Sequence, residues 1–82
     1  MNEKKLLIKI MNNLNNVDFN DFIRILNKFG FRLQRIRGSH NIYVNNDVAE
    51  IINIQNVNGK AKPYQIKQFF RLVEKYNLEM ED

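Results

Sequence analysis

Apolar residues recur along this chain with two different periods, and the change from one to the other divides it into elements. Leu6, Leu7, Ile10, Met11 and Leu14 share one side of a helix over residues 3–14, which the Asn12-Asn13-Leu14-Asn15-Asn16 cluster ends with residues that prefer turns. Phe19, Phe22, Ile23 and Leu26 follow at i, i+3, i+4 and i+7, predicting a second helix over 19–28 with Asp18 as its N-cap and Gly30 as its stop. After Gly30 the period drops to two. Phe31 and Leu33 alternate with Arg32 and Gln34 until Arg35 and Ile36 break the phase, which predicts a bulge or strand end before Gly38. A second strand over 40–44 sets His40, Ile42 and Val44 on one side and Asn41 and Tyr43 on the other, and Asn45-Asn46-Asp47 turns the chain into a third strand over 48–55. Residues 56–62 read as a loop, and Pro63 opens a last helix whose apolar stripe is Ile66, Phe69, Phe70, Val73 and Tyr76.

The order α-α-β-β-β-α predicts an α+β fold: a three-stranded antiparallel sheet with the helices on one face and the other face open. That is the outline of the double-stranded-RNA-binding domain, with an extra N-terminal helix. Eighty-two residues suffice for one such domain. The final acidic residues read as frayed. With no cysteine, disulfides and thiolate metal sites drop out, and the cytosol is the expected compartment. Lys9 interrupts the apolar start after three residues, so neither an export signal nor a membrane span is read there.

Charge sharpens the picture because its distribution is uneven. The net charge is +4, yet residues 24–71 alone carry +7, from nine cations (Arg24, Lys28, Arg32, Arg35, Arg37, Lys60, Lys62, Lys67 and Arg71) against Asp47 and Glu50. Such a segment is the electrostatic footprint of a surface that meets phosphates. Two groups stand out within it. Arg32, Arg35 and Arg37 lead into Gly38-Ser39-His40, which holds the only histidine of the chain, and Lys60 and Lys62 lie at the mouth of the last helix, with Lys67 one turn beyond.

Histidine takes and gives a proton near neutrality, and the flanking arginines suit a polyanionic substrate. Ser39 and His40 point to opposite faces of a regular strand, so a serine nucleophile activated by this histidine is improbable. One histidine, no cysteine and no close carboxylate pair leave zinc, thiol and glycosidase chemistry unsupported. Phosphodiester cleavage without a metal remains, because RNA supplies its own nucleophile in the 2′-hydroxyl. The group that protonates the leaving oxygen stays open among a water, Tyr43, Tyr64 and His40 itself. A packed structural histidine, a non-catalytic RNA-binding module and a basic protein-interaction domain are the competing readings.

At Gly30-Phe31, the arginine-bearing strand, Gly38-Ser39-His40 with Ile42-Tyr43 behind it, and the glycine- and lysine-bearing loop before the last helix, the chain resembles the HicA family of bacterial toxins. The resemblance covers residues 17–78 and leaves 1–16 as a helical extension. It implies a messenger-RNA endoribonuclease paired with a HicB-type antitoxin, with His40 as the catalytic residue and neither metal nor cofactor. On this reading Arg35, Arg37, Ser39, Lys60, Lys62 and Lys67 bind RNA. The chain departs from the family pattern at Asn53-Ile54-Gln55, where many members carry a proline-apolar-histidine segment, and at the start of the last helix.

Overall fold

The computed structural model describes residues 2–81. Three helices, α1 (Glu3–Asn12), α2 (Phe19–Lys28) and α3 (Pro63–Lys75), accompany four strands, β1 (Arg32–Arg37), β2 (His40–Val44), β3 (Ile52–Val57) and β4 (Lys60–Ala61). The strands form one antiparallel sheet in the order β1-β2-β3-β4. The α+β class and the helix-on-sheet arrangement are as expected, and the strand count is four instead of three.

The additional strand comes from Asn58-Gly59. Both residues have positive φ, +52° and +86°, the combination a tight type I′ hairpin requires, and Asn56 Oδ1 accepts the Gly59 N–H at 2.6 Å. What reads as a loop over 56–62 is therefore the end of β3, a two-residue turn and β4. The third strand is also displaced: residues 48–51 lie outside any strand, with a bend at 49–50, and pairing starts at Ile52. Val48 is buried, which explains its strand-like signature, but Asn45 holds this stretch in a turn by accepting the Asp47 N–H at 2.8 Å and donating to the Phe29 carbonyl at 2.9 Å.

Helix ends follow their sequence signals with one exception. Gly30, at φ +88°, completes a Schellman motif at the end of α2, its N–H reaching the Asn27 carbonyl and that of Phe31 reaching Leu26, both at 3.0 Å. Asn77, at φ +53°, does the same for α3 through the Leu78 N–H to Val73 at 2.9 Å. Asp18 occupies the N-cap position of α2 without capping it, because its carboxylate is drawn to Lys60 Nζ at 2.6 Å.

The core lies between the helices and one face of the sheet. Phe22, Ile25 and Leu26 of α2, Ile66, Phe69 and Leu72 of α3, and Tyr43, Ile52 and Ile54 of the sheet are buried together, and α1 adds Leu6 and Ile10 against α2. Phe69 is central, with Phe22, Phe29 and Phe31 set edge-on to its ring at centroid distances of 5.3–5.9 Å. The chain after α3 is packed where fraying was expected: Leu78 and Met80 lie against the core and the Glu81 N–H donates to the Lys28 carbonyl at 2.6 Å. Among the described residues no helix is long and apolar enough to cross a membrane.

Candidate active site

The turn between β1 and β2 consists of Gly38 and Ser39 alone, flanked by the pair Arg37 and His40. Gly38 has φ +59° and Ser39 does not share the positive sign, the pattern of a II′ hairpin, in which the first central position favours glycine. The tripeptide thus has a local structural cause: the glycine makes the turn and the histidine is the first residue after it.

Register then decides what surrounds His40. From Arg37 opposite His40 the pairing runs back to Ile36 opposite Asn41 and Arg35 opposite Ile42, after which one residue is skipped and Leu33 lies opposite Tyr43. Gln34 is the unpaired residue of the predicted bulge. Uninterrupted alternation would set Arg32 on the face away from Arg35 and Arg37, whereas the bulge brings all three arginines to the face of His40, Ile42 and Val44. Tyr43 faces the helices with Ile52 and Ile54, so the His40 face is the open one and the histidine is exposed on it. Ile42 is covered on that open face, at 5% exposure, as the floor of a groove whose walls are Arg35, Arg37, His40, Ile51 and Asn53.

Within this groove the imidazole is held from one side. Nδ1 of His40 lies 3.0 Å from Oδ1 of Asn53, and a donated Nδ1–H leaves the lone pair on Nε2, which has no partner among the described residues. Asn53 reaches this position because the pairing of β2 with β3 sets it opposite Ile42, two pairs along from His40 and Gln55 and so on the same face. Gln55 adds a second connection. Its Nε2 donates to Ser39 Oγ at 3.4 Å, its backbone N–H donates to Oε1 of the buried Gln65 at 2.8 Å, and Gln65 Nε2 donates back to Gln55 Oε1 at 3.2 Å and to the Tyr64 hydroxyl at 3.3 Å. The turn before His40 is thereby linked to the first turn of α3.

The sequence-derived candidates divide accordingly. Arg35, Arg37 and His40 come together in the groove, and Ser39 sits at its rim in the turn. Lys60 goes elsewhere: it pairs with Asp18, lines a small cavity with Leu6, Lys9 and Asp21, and holds the Asp18 carboxyl below its usual range through their hydrogen bond. Lys62 is the N-cap residue of α3, with its ammonium 5.8 Å from the Tyr64 ring centroid, and Lys67 is exposed on the same helix; neither lines the groove. Tyr43 is buried against the core, which pushes its phenol up, and it faces away from His40. Asn53 and Ile51 are the groove residues missed by sequence reasoning.

Ion pairing leaves the groove positive. The salt bridges among the described residues are Arg24–Glu3, Lys60–Asp18 and Lys75–Glu50, so no carboxylate neutralises Arg32, Arg35 or Arg37. Such a site pairs an oriented base with unpaired guanidinium groups suited to forked binding of phosphate oxygens.

A family model described as the HicA toxin of bacterial toxin-antitoxin matches residues 19–74. The chain belongs to the HicA toxin family. As a HicA-type toxin it is one component of a toxin-antitoxin pair and has an antitoxin as its partner. The matched segment contains every residue of the groove and excludes α1, the helix before it. Searches of curated proteins and of solved structures return no significant match.

Proposed function

We propose that this HicA-type toxin is a metal-independent endoribonuclease that cleaves messenger RNA in the cytoplasm, with His40 as the catalytic residue, and that a HicB-type antitoxin silences it. The reading is carried by one arrangement: Asn53 holds Nδ1 of His40 and leaves Nε2 to a groove walled by Arg35 and Arg37. In the proposed reaction Nε2 takes the proton of a ribose 2′-hydroxyl as its oxygen attacks the adjacent phosphorus. The phosphorus–5′-oxygen bond breaks, and the leaving oxygen takes its proton from a water in the open groove. The products are a 2′,3′-cyclic phosphate and a 5′-hydroxyl, and the imidazolium returns its proton to solvent. Arg35 and Arg37 bind the non-bridging oxygens, where negative charge accumulates in the transition state.

His40→Ala tests the proposal directly. Because His40 is exposed at the mouth of a hairpin, its removal should leave thermal melting and RNA affinity nearly unchanged while cleavage falls by about 10²–10⁴-fold, the usual contribution of a general acid or base. Full cleavage by the folded variant, in the presence of a chelator, would show that another group does the chemistry. A folded wild type that binds RNA without cleaving it would favour a binding module instead.

A further inference from the structure

Strand β1 is the edge of the sheet, and all six of its residues are exposed. Two apolar residues on it are uncovered on the face the helices occupy elsewhere: Leu33 at 45% exposure and Ile36 at 61%, opposite Tyr43 and Asn41. Edge strands of this kind offer backbone hydrogen-bonding groups to another chain. A two-residue hairpin closes on a hydrogen-bonded pair, here Arg37 and His40, and pairs alternate, so the backbone N–H and C=O of Ile36 point away from β2 toward the open edge. Ile36 therefore presents both an unsatisfied backbone and an uncovered apolar side chain.

The arginines specify what fits there. Two β1 strands paired with each other would set Arg35 and Arg37 of one copy against those of the other with no carboxylate between them, which disfavours a second copy. An acidic strand meets the opposite situation, since charge complementarity speeds its encounter and fixes its register. We propose that the antitoxin partner adds an extended segment to the free edge of β1, its acidic side chains facing Arg35 and Arg37 and its apolar side chains facing Leu33 and Ile36 on the other side. Main-chain bonds to Ile36 supply affinity and the alternating side chains supply specificity, as in other strand-addition complexes. This rests on membership of the toxin family and not on the catalytic role of His40.

The test uses the full-length toxin and the antitoxin that co-purifies with it on co-expression from the adjoining gene. Amide hydrogen exchange at Ile36 should be fast in the isolated toxin and slow at least tenfold in the complex. Ile36→Asp, which sets a carboxylate against the apolar side chains of the added strand, and Ile36→Pro, which removes the outward N–H, should each weaken antitoxin binding at least tenfold, with RNA cleavage and melting temperature as in the wild type. Should the proline variant misfold, the aspartate variant and the wild-type exchange measurement decide. Wild-type affinity in the folded variants, unchanged exchange at Ile36 in the complex, lack of a co-purifying antitoxin, or concentration-dependent protection in isolated toxin would each overturn the proposal, the last by identifying a second copy as the occupant. An uncleaved RNA would count against the nuclease and leave these readouts intact.

Discussion

His40 and Asn53 lie on different strands, and Nδ1 of the one meets Oδ1 of the other at 3.0 Å, which fixes the tautomer with a neutral acceptor instead of a carboxylate. An amide orients the ring without adding a negative charge to stabilise the imidazolium. For the proposed RNA substrate that choice is favourable, because a carboxylate beside the histidine would repel the phosphates that Arg35 and Arg37 are proposed to bind.

Replacing Asn53 should therefore change the pH dependence of cleavage as well as its rate. Asn53→Asp keeps an acceptor for Nδ1–H and adds a charge that favours the imidazolium, so the acid limb of the kcat/KM profile should move to higher pH. Asn53→Leu removes the acceptor; cleavage should fall, by about tenfold if orientation alone is lost, on the scale of one hydrogen bond of about 1.4 kcal/mol. A pH-rate profile of both variants that superimposes on the wild type would remove Asn53 from the mechanism.

The division of the basic residues leads to a contrast in salt dependence. Arg35→Ala with Arg37→Ala should reduce the slope of log affinity against log salt by about 0.7 for each single-strand phosphate left without its cation. Lys60→Ala should change it less, since Lys60 is already paired with Asp18. RNA-binding titrations over a range of salt concentrations measure both, and a larger effect from Lys60 than from the two arginines would place the RNA outside the groove.

Phe69 is the stability counterpart. It is fully buried, and three aromatic rings contact its ring edge-on, so Phe69→Ala should cost about 3–5 kcal/mol, a large share of the stability expected for so small a domain. Denaturant titration gives the number directly. A loss of less than about 1 kcal/mol would mean that the surrounding rings collapse into the space far more completely than core residues usually do.

Much of the fold is readable from the chain because its signals are local. Gly30 announces the Schellman end of α2, Gly38 the II′ turn, and the failure of alternation at Arg35-Ile36 the bulge. The hairpin at Asn58-Gly59 carries an equally local signal, the dipeptide that suits a type I′ turn, which the glycine and the neighbouring lysines mask when they are read as a phosphate-binding loop. Asn53 is different in kind. Its meeting with His40 depends on where β3 starts to pair, and that is set by the turn Asn45 builds with Asp47 and Phe29, a tertiary contact with no period or spacing to betray it. The same holds for Lys60, whose partner Asp18 is forty-two positions away in the sequence and carries the ordinary signature of an N-cap.

Removing Gln34 from the written sequence of β1 leaves Arg-Leu-Arg-Ile-Arg, an unbroken alternation with the same pairings to β2. The bulge therefore absorbs an extra residue without disturbing the faces, and it interrupts an otherwise flat, uniformly exposed ribbon at its middle. A chain lacking that residue would keep its arginines beside His40 and offer a longer continuous margin to an acidic visiting strand. On the proposed reading one glutamine limits how long a visiting strand can pair with this margin, while the arginines beside it keep a second copy of the chain away.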